Sequence, residues 1–596
     1  MMRRSIKIVG AQGQGVNSVG EMIAKGLKRA GYCVFGYREY MSLIKGGHSS
    51  YQLDVSTEKI ESSETHVDVV VAFNHHGLEL NLRELKEGGI LVHQSGDWEW
   101  SKDDAAFIAK NGISVAGLPT DEILATLNAK PIVANMLIAS VVWSLLGQRV
   151  DDLKKEARAQ FERKGDAVVK QNMDCIDAGV DFCVSSAKGI AVKLPPPDPS
   201  WKDHLLVTGS QAMGLGLIHA GCRFYAGYPM TPSSPLLTFI ADHQNETGMV
   251  VKQAEDEITA AQMMSGAMFM GTRAATATSG GGFDLMTETV SLNAIIENPA
   301  VFILAQRPGP ATGLPTWTAQ GDLLMAVHAS HGEFPRLVLS VSDADDSFRL
   351  MADAFNYAER FQLPVIVLTD KQCAEALYTQ RPYDQHAATI DRGALVTKAA
   401  ELAKLASSDR YDPRAKDGIS KRWLPGTHAA TYAAQGDEHG PDGTVLETAE
   451  NARLQMEKRM RKGETLKAAV PEPVVYACEK GAVSLAPVSS KKSYDLAIVT
   501  WGSAKSAVVD ALKDSTFANK RIAVVQYEFV WPLKTDRLRS VIASSKVAAC
   551  VEANYQGQLR MLLKGEGVDL PELVHKYDGR PFFVDELVSA LRSFVA

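Results

Sequence analysis

The chain has 596 residues, 45% of them hydrophobic and 22% charged, with a net charge of −7. That length exceeds what one hydrophobic core supports and predicts three or four domains of ordinary globular composition. The acidic balance argues against a nucleic-acid partner, because such domains display a basic face. The seven cysteines, at positions 33, 175, 183, 222, 373, 478 and 550, contain no CxxC pair and no tight cluster. An iron–sulfur or structural zinc site needs about four ligands converging from short spacings, which this chain does not offer. Scattered thiols read as reduced and mostly buried. Met1-Met2-Arg3-Arg4-Ser5 is basic but is not followed by an export-type apolar core. The longest apolar candidate, 132–146, carries Asn135 and is too short for a membrane span. The expectation is a cytoplasmic protein with no membrane partner.

Taken in chain order, Ile6-Lys7-Ile8-Val9 reads as a buried strand running into Gly10-Ala11-Gln12-Gly13-Gln14-Gly15, then a helix over 16–30. Strand, glycine turn and helix present backbone N–H groups and a positive helix end to a phosphate. The spacing is GxxGxG and not GxGxxG, which removes the main support for an NAD site. Such a turn also serves as a plain tight connection. A second glycine segment, Lys45-Gly46-Gly47-His48-Ser49-Ser50, is expected just before a strand at 51–55. Together the two segments could hold a nucleotide with several phosphates, Lys45 supplying charge and the serines hydrogen bonds. The alternative is a hairpin-like connection. Strands at 67–73 and 89–92 alternate with helices, predicting a mostly parallel sheet. His75, His76 and His93 lack a carboxylate or cysteine at ligand spacing and read as surface or core histidines. A charged helix at 151–163 closes this region. The stiff segment Leu194-Pro195-Pro196-Pro197-Asp198-Pro199 places a domain boundary near 190–203.

From Leu205 the βα alternation resumes, with helices expected at 210–220, 235–243, 257–270, 284–296, 322–330 and 344–361, and strands near 223, 250, 273, 300, 336 and 365. Four unusual segments interrupt it: Gly227-Tyr228-Pro229-Met230-Thr231-Pro232, Glu255-Asp256-Glu257, Ser279-Gly280-Gly281-Gly282, and Gln306-Arg307-Pro308-Gly309-Pro310-Ala311-Thr312-Gly313. Their recurrence suggests one site at one edge of a sheet. Pro229 and Pro232 stiffen the backbone around Thr231. Acidic residues stabilise helix N-termini by roughly 0.3–1 kcal/mol each, which accounts for one or two of the three carboxylates. The glycine run lets backbone approach a ligand. Arg307 reads as a carboxylate-binding guanidinium or as an exposed surface arginine. Over 386–490 the pattern weakens into loops and a basic helix near 453–462, whose cations read as a solvated face or a contact to an acidic neighbour. A last small α/β domain follows Tyr494.

Tyr228-Pro229-Met230-Thr231-Pro232 resembles the signature YPITP, Thr276-Ala277-Thr278-Ser279-Gly280-Gly281-Gly282 resembles TATSGPG, and Gln306 to Gly313 resembles QRxGPSTG. In this order they identify a resemblance, over essentially the whole chain, to the α subunit of the 2-oxoacid:ferredoxin oxidoreductases with a γ domain fused at its N-terminus. The resemblance implies a multidomain α/β fold. A Rossmann-like, CoA-binding γ domain at 1–190 and a Pro-rich linker at 191–203 precede a pyrimidine-binding thiamine diphosphate domain at 204–385. An irregular insert at 386–490 and a transketolase C-terminal-like domain at 491–596 complete it. It also implies an enzyme that converts a 2-oxoacid and CoA into acyl-CoA and carbon dioxide and passes electrons to ferredoxin.

Under the resemblance, Glu257 hydrogen-bonds the cofactor's aminopyrimidine and promotes ylid formation, with Glu255 as the fallback. Thr231 and Arg307 bind the oxoacid. Tyr228, Pro229, Ser279 and Gly280 lie on the thiamine side, and Gly13, Gln14, Gly15, Lys45, His48 and Ser49 on the CoA side. The sequence departs from the family pattern at Met230, Gly281 and Ala311, which replace isoleucine, proline and serine, and at Lys45, where many relatives carry arginine. There is no GDG followed by a downstream Asn and no cysteine set. The diphosphate site, Mg2+ and a [4Fe-4S] cluster are therefore expected on a partner β subunit, in an (αβ)2 heterotetramer inactive without it. The γ–α fusion and Gly436-Asp437-Glu438-His439-Gly440 point to the 2-oxoglutarate branch and succinyl-CoA. Pyruvate or a branched 2-oxoacid is the alternative substrate, and a non-catalytic CoA- or nucleotide-binding scaffold and a transketolase-like enzyme are the readings from other classes.

Overall fold

The computed structural model describes residues 2–94, 99–427, 430–485 and 493–595. Met1 and the expected domain boundary at 490/491 lie outside the described residues. The chain forms two compact units, one of Met1–Val207, Ala376–Pro382 and Phe583–Val588, the other of Thr208–Glu375, Tyr383–Phe582 and Ser589–Ala596.

The first unit is built on an eight-stranded sheet. Its strands are β1 (Arg3–Gln12), β2 (Cys33–Tyr40), β3 (Gly46–Ser56), β4 (Val67–Ala72), β5 (Leu85–Gln94), β6 (Ser114–Leu118), β7 (Leu205–Thr208) and, from later in the chain, β14 (Leu377–Gln380). The order is β6-β5-β4-β1-β3-β2-β14-β7. β1, β4, β5 and β6 pair in parallel, whereas β2 and β3 form an antiparallel hairpin laid against β1. The sheet is thus mixed, not mostly parallel, and the glycine segment expected to precede β3 lies within it. Gly46 and Gly47 adopt positive φ, and the register against β1 shifts between Ala11 and Gln12, so the glycines start the strand through a bulge without breaking it.

Helix α1 (Val16–Ala30) ends at Gly31, whose φ of 108° lets its N–H reach the carbonyls of Leu27 and Lys28. The apolar helix α2 (Ala134–Leu145) is buried from Met136 to Trp143, and it packs against α3 (Asp166–Ser185), which the sequence reading missed. The buried stripe of α3 includes Asn172 and Gly179, which break its apolar period, and Gly179 lies where the helix crosses Leu137 and Ser140. The Pro-rich linker is tied down by Asp198 N donating to Gly31 O at 2.9 Å and Tyr32 OH donating to Pro195 O at 2.9 Å.

The second unit holds two sheets. The larger comprises β8 (Phe224–Gly227), β9 (Val250–Gln253), β10 (Ala274–Thr278), β11 (Ala300–Gln306), β12 (Leu337–Ser340), β13 (Pro364–Asp370) and β19 (Phe529–Trp531), in the order β19-β12-β13-β11-β10-β8-β9. All but β19 run parallel, and Val365 to Leu368 are fully buried, as expected for strands covered on both faces. The smaller sheet comprises β15 (Val474–Glu479), β16 (Ala482–Leu485), β17 (Tyr494–Trp501), β18 (Arg521–Tyr527), β20 (Ser545–Glu552) and β21 (Glu572–His575), in the order β16-β15-β18-β17-β20-β21. Glu528 alone separates β18 from β19, so one continuous segment belongs to both sheets.

The expected helices of this unit are present: α4 (Gly209–His219), α5 (Glu257–Phe269), α6 (Gly280–Ile295), α7 (Leu323–His328) and α8 (Ala344–Phe361) among them. The start of α6 differs, because the glycine run expected as a loop is its first turn. The long helix α9 (Ala449–Ala469) corrects the solvated-face reading for two of its cations. Lys458 and Lys462 are buried and both bond Glu297 at the end of α6. Arg410 donates to the carbonyls of Ile296 and Glu297, and Arg422 to that of Met268, so buried cations sit on the negative ends of α6 and α5. All seven cysteines are free thiols. No single helix among the described residues is long and apolar enough to cross a membrane.

Candidate functional site

Because β11, β10, β8 and β9 are parallel neighbours, their C-terminal ends lie along one sheet edge, the usual place for a ligand in an open α/β sheet. The four unusual segments leave from those ends. Pro229 to Pro232 follows β8, Glu255 and Asp256 follow β9, Ser279 follows β10, and Arg307 to Gly313 follows β11.

The three consecutive acids divide their work. Asp256 is the N-cap of α5, accepting from Thr259 N at 2.7 Å, and those hydrogen bonds draw its carboxyl below the ordinary range. Glu255 points to solvent, and Glu257 is buried at 5% exposure. Thr278 Oγ1 donates to Glu257 Oε1 at a long 3.5 Å. A Cβ on Gly282 would stand 2.5 Å from the same oxygen. The third glycine of the run is therefore what gives the Glu257 carboxylate its place.

Thr231 and Arg307 are joined directly: Arg307 Nη1 donates to Thr231 O at 2.7 Å. The guanidinium is buried at 7% exposure, and burial lowers it from its ordinary value against the opposing pull of Asp322. This removes the reading of Arg307 as an exposed surface arginine. Met230 packs under the same loop, with Thr278 Oγ1 donating to its Sδ at 3.6 Å and its Cε 3.7 Å from where a Cβ on Gly281 would be. Tyr228 is 40% exposed at the rim, beside Pro229. Ser279 is the N-cap of α6 but makes no capping bond, and its buried Oγ has no hydrogen-bond partner.

Two contributors had no role of their own assigned from the sequence, although Gln306 opens the segment 306–313. Gln306 is buried, with Nε2 donating to Thr369 O at 3.2 Å and Oε1 accepting from Asp322 N at 3.0 Å. Asp322 brings its carboxylate to Gly280, where a Cβ would stand 2.9 Å from Oδ2. From the sequence, Asp322 is only the first residue of the helix expected at 322–330; a glycine-preceded acid shortly after an arginine loop was the available signal.

In the first unit, pairing of β1 with β3 sets His48 opposite Ala11 and Gly46 opposite Gln12, bringing the two glycine segments side by side. Gly13 and Gly15 have φ near 91° and 92°, and Gln14 Oε1 accepts from Ala11 N and from Asn74 Nδ2, both at 2.7 Å, which closes the turn on itself. Lys45 is exposed, His48 Nε2 lies 3.4 Å from Asn81 Nδ2, and Ser49 is buried within the strand.

The sheet edge of the second unit carries a buried acid at one helix N-terminus and a guanidinium fixed on a loop nearby. Residues 215–458 match the family model described as pyruvate flavodoxin/ferredoxin oxidoreductase, thiamine diP-bdg, which defines the class as a thiamine-diphosphate-binding oxidoreductase component. Residues 5–182 match the model described as pyruvate ferredoxin/flavodoxin oxidoreductase. A 2-oxoacid:ferredoxin oxidoreductase subunit alpha from Sulfolobus sp is 30% identical across 99% of this chain and 96% of its own. The 2-oxoglutarate oxidoreductase subunit KorA of Mycobacterium tuberculosis is 25% identical across 99% and 91%. The 2-oxoglutarate:ferredoxin oxidoreductase from Magnetococcus marinus, solved with 2-oxoglutarate, coenzyme A and succinyl-CoA bound, superposes with a TM-score of 0.90 at 29% identity, covering 100% of both chains. The chain belongs to the α subunits of the 2-oxoacid:ferredoxin oxidoreductases, enzymes built from more than one subunit.

Proposed function

We propose that this chain is the α subunit of a 2-oxoglutarate:ferredoxin oxidoreductase, which converts 2-oxoglutarate and CoA into succinyl-CoA and carbon dioxide and reduces ferredoxin. The observation that carries the reading is the end-to-end fold match to the Magnetococcus marinus enzyme and its bound ligands. Pyruvate is the second reading, favoured by the descriptions of both family models.

The residues of the sheet edge fit an aminopyrimidine. Glu257 is buried with one long hydrogen bond, Ser279 Oγ is buried without a partner, and Gly282 leaves room at the carboxylate. Glu257 would hold the ring, lined by Tyr228, Pro229, Ser279 and Gly280. Bound thiamine diphosphate supplies the nucleophilic carbon and the electron sink that decarboxylation of a 2-oxoacid requires. Glu257 would hold and return a proton at its carboxylate, a task for which a buried carboxylate in a low-dielectric site is suited. Arg307, fixed on Thr231 O, turns its remaining N–H groups to the oxoacid carboxylate, and the Thr231 hydroxyl addresses the neighbouring carbonyl. CoA is assigned to Gly13, Gln14, Gly15, Lys45, His48 and Ser49 of the first unit. A β subunit is assigned the diphosphate, Mg2+ and [4Fe-4S] sites, in a cytoplasmic (αβ)2 assembly.

Parallel kinetics on pyruvate and 2-oxoglutarate, with CoA and ferredoxin and the co-expressed partner, test the assignment. A higher kcat/KM for 2-oxoglutarate is expected. A preference for pyruvate would move the chain to the other branch.

A further inference from the structure

The loop that carries Arg307 leaves β11 at Gln306 and reaches α7 at Asp322, and its two legs are held differently. On the outward leg, residues 309–314 are exposed. On the return leg, Gln320 is fully buried, and each of its polar groups is engaged by loops of the smaller sheet. Its N–H donates to Ala553 O at 2.8 Å, and its carbonyl accepts from Asn554 Nδ2 at 3.1 Å. Its Oε1 accepts from Ala553 N at 2.7 Å, and its Nε2 donates to Trp501 O at 2.8 Å. Trp501 ends β17, Ala553 follows β20, and these strands are parallel neighbours, so the four bonds fasten one residue of the larger sheet's loop to the C-terminal edge of the smaller sheet.

Both sides of this clamp are shaped for it. Gly502 has a φ of 56°, and a Cβ there would stand 2.4 Å from Gln320 Nε2, so the glycine leaves room for the amide. The turn after β20 is folded around the fully buried carboxylate of Glu552. That group accepts from Trp501 Nε1 and Asn554 Nδ2, both at 3.0 Å, and from Leu559 N at 2.8 Å in helix α10 (Gln558–Gly565). Gln558 extends the clamp, donating to Gly321 O at 2.7 Å and accepting from Leu324 N at 3.0 Å. From Gln320 to Arg307 the connection is short. Asp322, two residues on, donates its N–H to Gln306 Oε1 at 3.0 Å, and Gln306 immediately precedes Arg307, whose Nη1 rests on Thr231 O at 2.7 Å. An apolar contact could hold the return leg but would let it slide; a buried, fully satisfied hydrogen-bond network fixes one arrangement.

We propose that Gln320 is a positioning residue for Arg307: it fixes the return leg of the arginine loop on the smaller sheet, which thereby sets the place of the guanidinium at the edge of the larger sheet. The consequence for oxoacid binding rests on the reading of Arg307 given under the proposed function. A guanidinium recognises a carboxylate through a planar pair of N–H groups, so binding depends on its aim as well as its charge. With the return leg released, the bond between Asp322 N and Gln306 Oε1 no longer closes the base of the loop, and Arg307 shifts from its seat on Thr231 O. A misplacement of about 1 Å costs on the order of 100-fold in rate at subsaturating substrate. Because Arg307 holds the carboxylate before and during reaction, the loss falls on the oxoacid KM and much less on kcat.

The test uses two variants of the α chain co-expressed with its partner subunit. Gln320→Met fills the same volume without hydrogen bonds. Gly502→Ala displaces the Gln320 amide without altering the loop, and it carries the test where Gln320→Met does not fold. Initial-rate kinetics on 2-oxoglutarate and CoA are measured alongside the rate at which phenylglyoxal, an arginine reagent, modifies Arg307, read by mass spectrometry of its peptide. The oxoacid KM is expected to rise by roughly 10- to 100-fold, with kcat and the CoA KM little changed. Arg307 is expected to be modified faster than in the natural chain. A fall in kcat at unchanged oxoacid KM would mark a loss of folded enzyme alone and overturn the proposal. Modification of Arg307 at the natural rate in both variants would overturn it too. Faster modification at an unchanged oxoacid KM would support the positioning role and remove the assignment of Arg307 to the oxoacid.

Discussion

Gly281 and Gly282 are neighbours in the first turn of α6, and replacing each by alanine should give opposite results. A Cβ on Gly282 would overlap Thr278 Oγ1, and it would stand 2.5 Å from Oε1 and 2.9 Å from Cγ of Glu257. To restore ordinary van der Waals contact, the carboxylate must retreat by about 1 Å, and a displacement of that size in a reacting group costs on the order of 100-fold in rate. A Cβ on Gly281 meets only Met230 Cε, at an unstrained 3.7 Å. Alanine there removes the entropic cost of a helical glycine, worth about 0.5–1 kcal/mol. Each variant, co-expressed with the partner subunit, would be assayed for oxoacid-dependent ferredoxin reduction and for its melting temperature. Gly282→Ala should lose about two orders of magnitude in kcat, and Gly281→Ala should retain activity and melt no lower than the natural chain. Equal activity in the two variants would refute the argument that the third glycine exists to seat Glu257.

Glu257→Gln keeps the shape of the side chain and removes its ability to accept a proton, so kcat should fall by roughly 10²- to 10⁴-fold while the melting temperature changes little. Glu297→Gln tests the anchor of the 386–490 segment. Burial alone would raise the Glu297 carboxyl, but the ammoniums of Lys458 and Lys462, with Arg410, outweigh it and hold it well below the usual range. Losing that charge strands two buried ammoniums at a cost of about 3–5 kcal/mol, visible as a lower urea midpoint at pH 7. Because the folded-state value is depressed, the stability that this carboxylate contributes is present above its unfolded value of 4.5 and is lost as pH falls below it. Asp322 behaves oppositely. Its folded-state carboxyl is raised from 3.8 to about 6, so the natural chain loses stability as pH rises through that window. Asp322→Asn should be more stable at pH 8 by up to about 3 kcal/mol, and no more stable below pH 4, as read by denaturation at the two pH values.

The family and the gathering of the four segments at one sheet edge were legible in the linear chain because both rest on local chemistry. The motifs at 228–232, 276–282 and 306–313 are contiguous, and full-length relatives carry the same family name. Regular βα alternation requires that loops after parallel strands emerge on one edge, so the convergence of those segments could be expected before any contact was seen. The helices at 16–30 and 344–361 were marked by residues that act within a turn of their own position, such as Gly31 and the N-cap Asp343.

Elsewhere the determining contacts are distant in sequence. The hairpin of β2 and β3 depends on pairing with β1, and Gly179 in α3 has its reason only in α2, whose Leu137 and Ser140 lie where a side chain would be. The polar stripe of α9 looks solvated because its counter-ion, Glu297, lies 161 residues before Lys458. The division of labour among Glu255, Asp256 and Glu257 was likewise undecided by residue type, since any carboxylate stabilises a helix N-terminus. Burial chose among them: the strand end exposes the first, the cap bond engages the second, and the missing side chain of Gly282 opens a buried place for the third. Asp322 is the extreme case, an acid at the start of an expected helix that takes the cap position and does not cap. Tertiary structure alone sets it against Gly280 and within the field of Arg307, because a side chain's protonation depends on its neighbours in space.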